Sequence, residues 1–386
     1  MTKRQICAVT SSRADYNLLA PPMRLIRDDP SLELQVIVTG MHLTTEFGFT
    51  YRRIEQEGFP VTARVESSQR GDDVASVTKS IGYGVIGFAD VLQRLRPDIL
   101  MILGDRYEIF AAAQAAVIAR VPIAHLCGGD TVDGAFDDGI RHAITKMAHL
   151  HFVTNEMAAR RLRQMGENPD HVYLVGNPGL DQIRQVKRMP REDTFAALGI
   201  PARARNLLIA FHPETLAMEG SLTRLEELLA ALSELGPDHS LIFTGPNSDS
   251  EGRSFARRME AFVGEHENAI LRTSLGQTLY LNALAHCDAV VGNSSSGIYE
   301  APSLKTATVN IGNRQNVRLK ADSVIDCAAE RAEIARAIIR AIALDCSRVE
   351  NPYGEGHSAP LIVEALKALP DPTALLKKHF YEIKVA

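Results

Sequence analysis

Short apolar runs alternate with amphipathic stretches of helical length along almost the whole chain, and this alternation constrains the fold more than any other feature. Strand-like runs fall at residues 5–10, 34–39, 99–103, 123–126, 151–154 and 172–175, and the stretch 74–95 carries apolar residues at helical spacing. A chain that repeats strand and helix folds into a parallel, doubly wound α/β sheet buried on both faces. The pattern stops at Gly176-Asn177-Pro178-Gly179, where proline and glycine can continue neither element. It resumes at 207–211 and runs through 241–244, 269–271, 289–291, 308–311 and 324–325, with helical patterns at 222–235, 255–265 and 333–344. At 386 residues the chain can bury two cores of ordinary size. Two Rossmann-like domains facing a central cleft are therefore expected, at residues 1–178 and 179–365, with a helical tail at 366–386 packing back on them.

Composition excludes several classes of function. A net charge of −5 with 45% hydrophobic and 23% charged residues leaves no basic excess to hold a nucleic acid. No segment approaches the roughly 20 apolar residues that a membrane span requires. Met1-Thr2-Lys3-Arg4 runs directly into a strand without a leader-like apolar stretch, so the cytoplasm is the expected address. The five cysteines are scattered and never form Cys-x-x-Cys, which reads as reduced buried thiols. His149-Leu-His151 has no metal-binding spacing, and no metal is expected.

In open parallel sheets ligands bind outside the carboxyl ends of the strands, so the residues after each apolar run carry the chemistry. Run 99–103 ends in Gly104-Asp105-Arg106-Tyr107-Glu108, an acid and a base at that edge. The first strand opens into Ser11-Ser12-Arg13-Ala14-Asp15-Tyr16. This turn either offers N–H groups and a guanidinium to an anion or is a plain helix cap with a solvated Arg13; lacking Gly-x-Gly-x-x-Gly, it is no dinucleotide site. Gly128-Gly129-Asp130-Thr131 leads to Asp137-Asp138-Gly139-Ile140-Arg141-His142, where a spacing of four places Asp137 with Arg141 and Asp138 with His142 on a helix.

In the second half, Gly292-Asn293-Ser294-Ser295-Ser296-Gly297-Ile298-Tyr299-Glu300 suits a nucleotide sugar. Its hydroxyls and N–H groups fit a diphosphate, and Glu300 can accept two ribose hydroxyls. Arg314, after the next strand, can reach the same ligand, and His212 in His212-Pro213 is placed to face its phosphates. Asn247, in Gly245-Pro246-Asn247, is either part of a turn or a contact to the ligand.

In this order, Gly104-Asp105-Arg106, Gly128-Gly129-Asp130, Asp137-Asp138, Ile140-Arg141-His142, Thr145-Lys146, Gly176-Asn177-Pro178, His212-Pro213, Gly292-Asn293-Ser294-Ser295 and Gly312-Asn313-Arg314 resemble the hydrolysing UDP-N-acetylglucosamine 2-epimerases, over about residues 5 to 345. The resemblance implies a GT-B type architecture, a homodimer or homotetramer, and conversion of UDP-N-acetylglucosamine and water to N-acetylmannosamine and UDP, feeding sialic-acid-like nonulosonate synthesis. The same reaction on a 2,4-diacetamido nucleotide sugar, the legionaminic acid route, and a GT-B glycosyltransferase are the alternatives. Asp105, Asp137 and His212 match catalytic positions. Arg13, Ser294, Ser295, Glu300 and Arg314 match nucleotide contacts, and Arg106, Asn177, Asn247 and Ser296 complete the expected substrate-binding set. Where some relatives carry Glu, this chain has Cys127, and Asp130 is the substitute candidate.

The hydrogen on carbon 2 of such a sugar is not adjacent to a carbonyl, so the bond from carbon 1 to UDP must begin to break before a carboxylate can remove it. Elimination then leaves a glycal, to which water adds while a proton returns to the opposite face. Two proton carriers are needed, Asp105 with Asp137 or Asp130, and either can be the base. Side chains supply every step, so no cofactor is expected.

Overall fold

The computed structural model describes residues 3–46, 48–69, 73–131, 137–213, 220–245 and 252–383. It divides into two compact units, residues 1–182 with 353–386, and residues 183–352.

The first unit is built on seven parallel strands: β1 (Arg4–Thr10), β2 (Leu32–Thr39), β3 (Val61–Val65), β4 (Ile99–Leu103), β5 (Ile123–Leu126), β6 (Leu150–Val153) and β7 (Val172–Leu174). Their order is β3-β2-β1-β4-β5-β6-β7, so the winding reverses between β1 and β4. Alternate residues of these two strands enter opposite cores. Ile6, Ala8, Ile99, Met101 and Leu103 face one, and Cys7, Val9, Leu100 and Ile102 the other. Burial on both faces explains why β4 reads as an unbroken apolar run. Strand β3, not expected from the sequence, is an edge strand whose pattern of part-exposed and buried residues is too short to register as a continuous run.

The second unit has six parallel strands: β8 (Arg205–Ala210), β9 (His239–Thr244), β10 (Ala269–Arg272), β11 (Ala289–Gly292), β12 (Ala307–Ile311) and β13 (Val324–Cys327). The order β10-β9-β8-β11-β12-β13 reverses between β8 and β11. Gly292, paired with Ala210, has φ of +148°, and a Cβ there would run into the Ala210 carbonyl. Only glycine lets the two strand ends lie so close.

The chain returns to the first unit at Tyr353, earlier than the boundary at 365 expected from the sequence. Tertiary contacts account for the difference. The Asp181 carboxylate accepts the N–H groups of Ser358 (2.9 Å) and Ala359 (2.6 Å) at the start of a helix, Ser358–Ala368. That helix buries Ile362, Val363 and Leu366 in the core shared with β1 and with helix Arg13–Asp28. No helix among the described residues is long and apolar enough to cross a membrane.

Candidate active site

The carboxyl edge of the first sheet gathers charged groups from three loops. Arg141, nearly buried on helix Asp137–Met147, donates to the Asp105 carboxylate after β4 and, through Nη1, to the Cys127 carbonyl after β5 (3.1 Å). The pairing of Asp137 with Arg141 expected from helical spacing is thus replaced by one across the sheet edge, because Arg141 points into the fold where Asp105 waits. Among the described residues, no hydrogen bond to the Asp137 carboxylate is found. Burial and then the negative charge of Asp105 push its pKa up from the ordinary aspartate value, with Arg141 and Arg106 opposing. Neighbouring carboxylates in unequal environments are what acid–base chemistry on two faces of one carbon requires.

Asp130 sits farther along the same edge, where one carboxylate oxygen accepts from Thr154 Oγ1 (2.7 Å) and Asn155 Nδ2 (3.1 Å). Cys127 adopts a left-handed backbone (φ +62°) and is buried, and burial pushes its thiol well up, so it stays protonated. A neutral thiol is a poor proton carrier. Cys127→Ser should therefore leave kcat within about threefold of the parent value. A steady-state loss comparable to that of a carboxylate variant would put the thiol in the proton path.

Beneath Asp105, the fully buried His125 donates from Nε2 to the Gly104 carbonyl (2.8 Å) and accepts at Nδ1 from the Thr145 hydroxyl (3.3 Å). Burial lowers its pKa to about 3, so the ring is neutral and its tautomer is set by these two partners. Arg141, His125 and Thr145 were not among the expected site residues. The sequence carried a signal for Arg141 and Thr145, which lie in the dense segment after Asp137, but their partners are distant in the chain.

In the first loop Ser12 caps the helix Arg13–Asp28. Asp15 accepts the N–H groups of Ser11 (3.0 Å) and Ser12 (3.1 Å) and the hydroxyls of Ser11 (2.6 Å) and Thr10. The anion cradle is filled by the chain's own carboxylate, and Arg13 is exposed in the first helical turn. Arg106 is likewise engaged, through Nη2 (2.8 Å) and Nε (3.2 Å), by the buried carboxylate of Glu108. Glu108 lies under Gly40, where a Cβ would sit 2.6 Å from its Oε1. Asn177 caps a turn, its Oδ1 accepting from Gly179 N–H (2.8 Å), while its own N–H donates to the Tyr353 carbonyl (2.8 Å). Asn247 lies outside the described residues.

In the second unit, Asn293 brackets His212: Oδ1 accepts the His212 N–H and Nδ2 donates to the His212 carbonyl, each at 2.8 Å. Gln315 Nε2 in turn donates to the Asn293 carbonyl (2.9 Å), and Arg318 donates to Gln315 Oε1 (2.6 Å) while lying over the Tyr299 ring at 5.0 Å. Asn293, within the Gly292 motif, and Gln315 carried no expected role; their work is to hold the backbone at the β8–β11 reversal. Ser294 and Ser295 are half-buried, the Ser294 hydroxyl accepting from Ser296 N–H (3.4 Å). Ser296 begins a single-turn helix, Ser296–Tyr299, with its hydroxyl bonded to the Tyr280 hydroxyl. Glu300 closes that turn, and burial raises its pKa to about 7, which suits hydrogen bonding to neutral hydroxyls better than pairing with a cation. Arg314 is exposed.

Residues 24–367 match the model of the family described as UDP-N-acetylglucosamine 2-epimerase. The chain is 38% identical to a GDP/UDP-N,N'-diacetylbacillosamine 2-epimerase (hydrolyzing) of Campylobacter jejuni, over 84% of this chain and 85% of the relative. It is 32% identical to a UDP-N,N'-diacetylbacillosamine 2-epimerase (hydrolyzing) of Legionella pneumophila, over 97% of this chain and 98% of the relative. A crystal structure of the UDP-GlcNAc 2-epimerase from Neisseria meningitidis bound to UDP-GlcNAc superposes with a TM-score of 0.76 at 17% identity, covering 94% of this chain and 99% of that one. The shared fold is two Rossmann-like domains of the GT-B type. The chain belongs to the UDP-N-acetylglucosamine 2-epimerase family, in its hydrolysing branch.

Proposed function

We propose that this protein hydrolyses a UDP-linked 2-acetamido sugar with inversion at carbon 2, using Asp105 and Asp137 as its proton carriers. The observation that carries this assignment is the unequal pair itself. Asp105 is held by Arg141, while Asp137 is raised by burial and by its neighbour's charge. One carboxylate removes the hydrogen on carbon 2 as UDP leaves, and the other side of the carbon receives a proton when water adds to the glycal. Asp130, fixed by Thr154 and Asn155, is the reserve candidate for the second carrier. His212, Ser294, Ser295, Ser296, Glu300 and Arg314 form the nucleotide side of the reaction, with His212 and Arg314 stabilising the charge that grows on the departing diphosphate.

The names of two relatives support a reading of the substituent at carbon 4. Both hydrolysing enzymes named above carry an N,N'-diacetylbacillosamine name, which favours a 2,4-diacetamido sugar over UDP-N-acetylglucosamine. Its product would be a free 2,4-diacetamido sugar of inverted configuration at carbon 2, the class that feeds legionaminic-type nonulosonates.

Release of the nucleoside diphosphate, UDP or GDP, measured over a panel of UDP-N-acetylglucosamine, its 2,4-diacetamido counterpart and the corresponding GDP sugar, followed by NMR of the sugar made in D₂O, tests both parts. The expected result is release without any acceptor, highest kcat/KM on the UDP-linked 2,4-diacetamido sugar, and deuterium at carbon 2 of an epimerised product. Retention of the original hydrogen would exclude the elimination, and a requirement for a sugar acceptor would make the protein a glycosyltransferase.

A further inference from the structure

Helix Asp137–Met147 touches the proton-transfer edge at three successive turns, through Asp137 itself, Arg141 on Asp105, and Thr145 on the histidine that holds Gly104. Its far end is where a helix has carbonyls without intrahelical partners and a partial negative charge. A segment almost at the end of the chain meets it there. Lys378 Nζ donates to the carbonyls of Ala148 (2.6 Å), Lys146 (2.8 Å) and Thr145 (3.4 Å). The same ammonium lies 2.6 Å from the buried Glu167 carboxylate, which also takes Lys146 Nζ at 2.6 Å and His151 Nε2 at 2.8 Å. Burial alone would push Glu167 up, but these donors overcome it and bring its pKa down to about 2. Two ammonium groups against one carboxylate are tolerated because the helix end supplies the remaining negative charge.

The segment is anchored on both sides of Lys378. Leu375 is buried in the core, and Tyr381 N–H donates to the Gly166 carbonyl (2.9 Å). Phe380 lies on Gly166 with Lys146 over its ring at 4.9 Å.

We propose that Lys378 is a positioning residue for the reaction: from a C-terminal strap it fixes helix Asp137–Met147, and through that helix the placement of Asp137, of the Arg141–Asp105 pair and of the Gly104 peptide. The proposal rests on the assignment of proton transfer to Asp105 and Asp137. A small misplacement of reacting groups is enough to lower turnover by one or two orders of magnitude, although Lys378 touches no substrate.

Lys378→Met removes the donors and keeps the length of the side chain; Lys378→Arg restores donors, and Lys378→Gln is a milder loss should the methionine variant not fold. With the nucleotide sugar that the parent protein turns over, Lys378→Met or Lys378→Gln is expected to lower kcat about tenfold. KM and inhibition by UDP should stay within about twofold, because the nucleotide loop is in the other unit, and Lys378→Arg should recover most of the loss. Hydrogen exchange should be faster in peptides covering 137–147 and 103–108 and unchanged in those covering 289–300. Parental kcat in the methionine and glutamine variants, or a loss that arginine does not rescue, would overturn the proposal. Should the parent protein turn over no nucleotide sugar, the functional assignment fails instead, and the exchange pattern still decides whether the strap controls the Asp105 edge; acceleration confined to 145–149 would show that it does not.

Discussion

Replacing Asp137 by asparagine is expected to lower kcat by about 10²–10⁴-fold, the range for a positioned proton carrier, and to leave the folded protein at least as stable. The second half of that expectation follows from the direction of the pKa shift. Folding raises the pKa of Asp137, so its contribution to stability is fully present below the unfolded aspartate value and is lost as the pH rises through the folded value. Above that folded value the ionised carboxylate therefore opposes folding, and a neutral amide of the same shape removes that opposition. Single-turnover kinetics with thermal melts at pH 7 would check both parts. Near-parental turnover would take Asp137 out of the mechanism, and a clear fall in Tm would mean that the carboxylate has a structural partner.

Asp105→Asn and Arg141→Met should both be severely impaired yet move the titration of Asp137 in opposite directions. Asp105→Asn is expected to lower kcat by about 10²–10⁴-fold. Arg141→Met should lose about 10²-fold, as when one preorganised electrostatic partner is removed. Taking away the charge of Asp105 relieves Asp137 of a like-charged neighbour and releases Arg141 towards it, so the pKa of Asp137 falls. Taking away Arg141 leaves two carboxylates facing each other, so it rises. Arg141→Met should also destabilise the fold by about 3 kcal/mol, because Asp105 is then largely buried without its cation. The titration of Asp137 followed by NMR in the two variants checks the sign. Shifts of the same sign would mean that Asp105 and Arg141 do not both act on Asp137.

Much of the placement of the candidate site is legible in the sequence. A strand buried on both faces must be apolar throughout, so β4 announced itself, and Gly104-Asp105 had to fall at its carboxyl edge. The same logic located Gly292 and the serines beyond it. What escaped depended on which side chains meet across the sheet edge. Helical spacing offers Arg141 to Asp137, but its side chain turns inward to Asp105 and Cys127. Ser11-Ser12 has the composition of an anion cradle, and nothing local says that Asp15 occupies it. Strand β3 lies at a sheet edge and lacks the continuous burial that makes the central strands visible. The return of the chain at Tyr353 escaped because a helical pattern records an apolar face without naming the surface that covers it.

That return sets an order of events during synthesis. Residues 183–352 form an uninterrupted unit, able to close its own sheet as soon as they have left the ribosome. The first unit has all seven strands by Leu174 but lacks the helix Ser358–Ala368 that packs on helix Arg13–Asp28, and it lacks Lys378 at the end of the Asp137–Met147 helix. Domains usually mature in the order in which they emerge, whereas here the first to be made is the last to be finished. A nascent chain can therefore close the sheet that carries the Gly292 loop well before the Asp105 edge of the first sheet has its last supports.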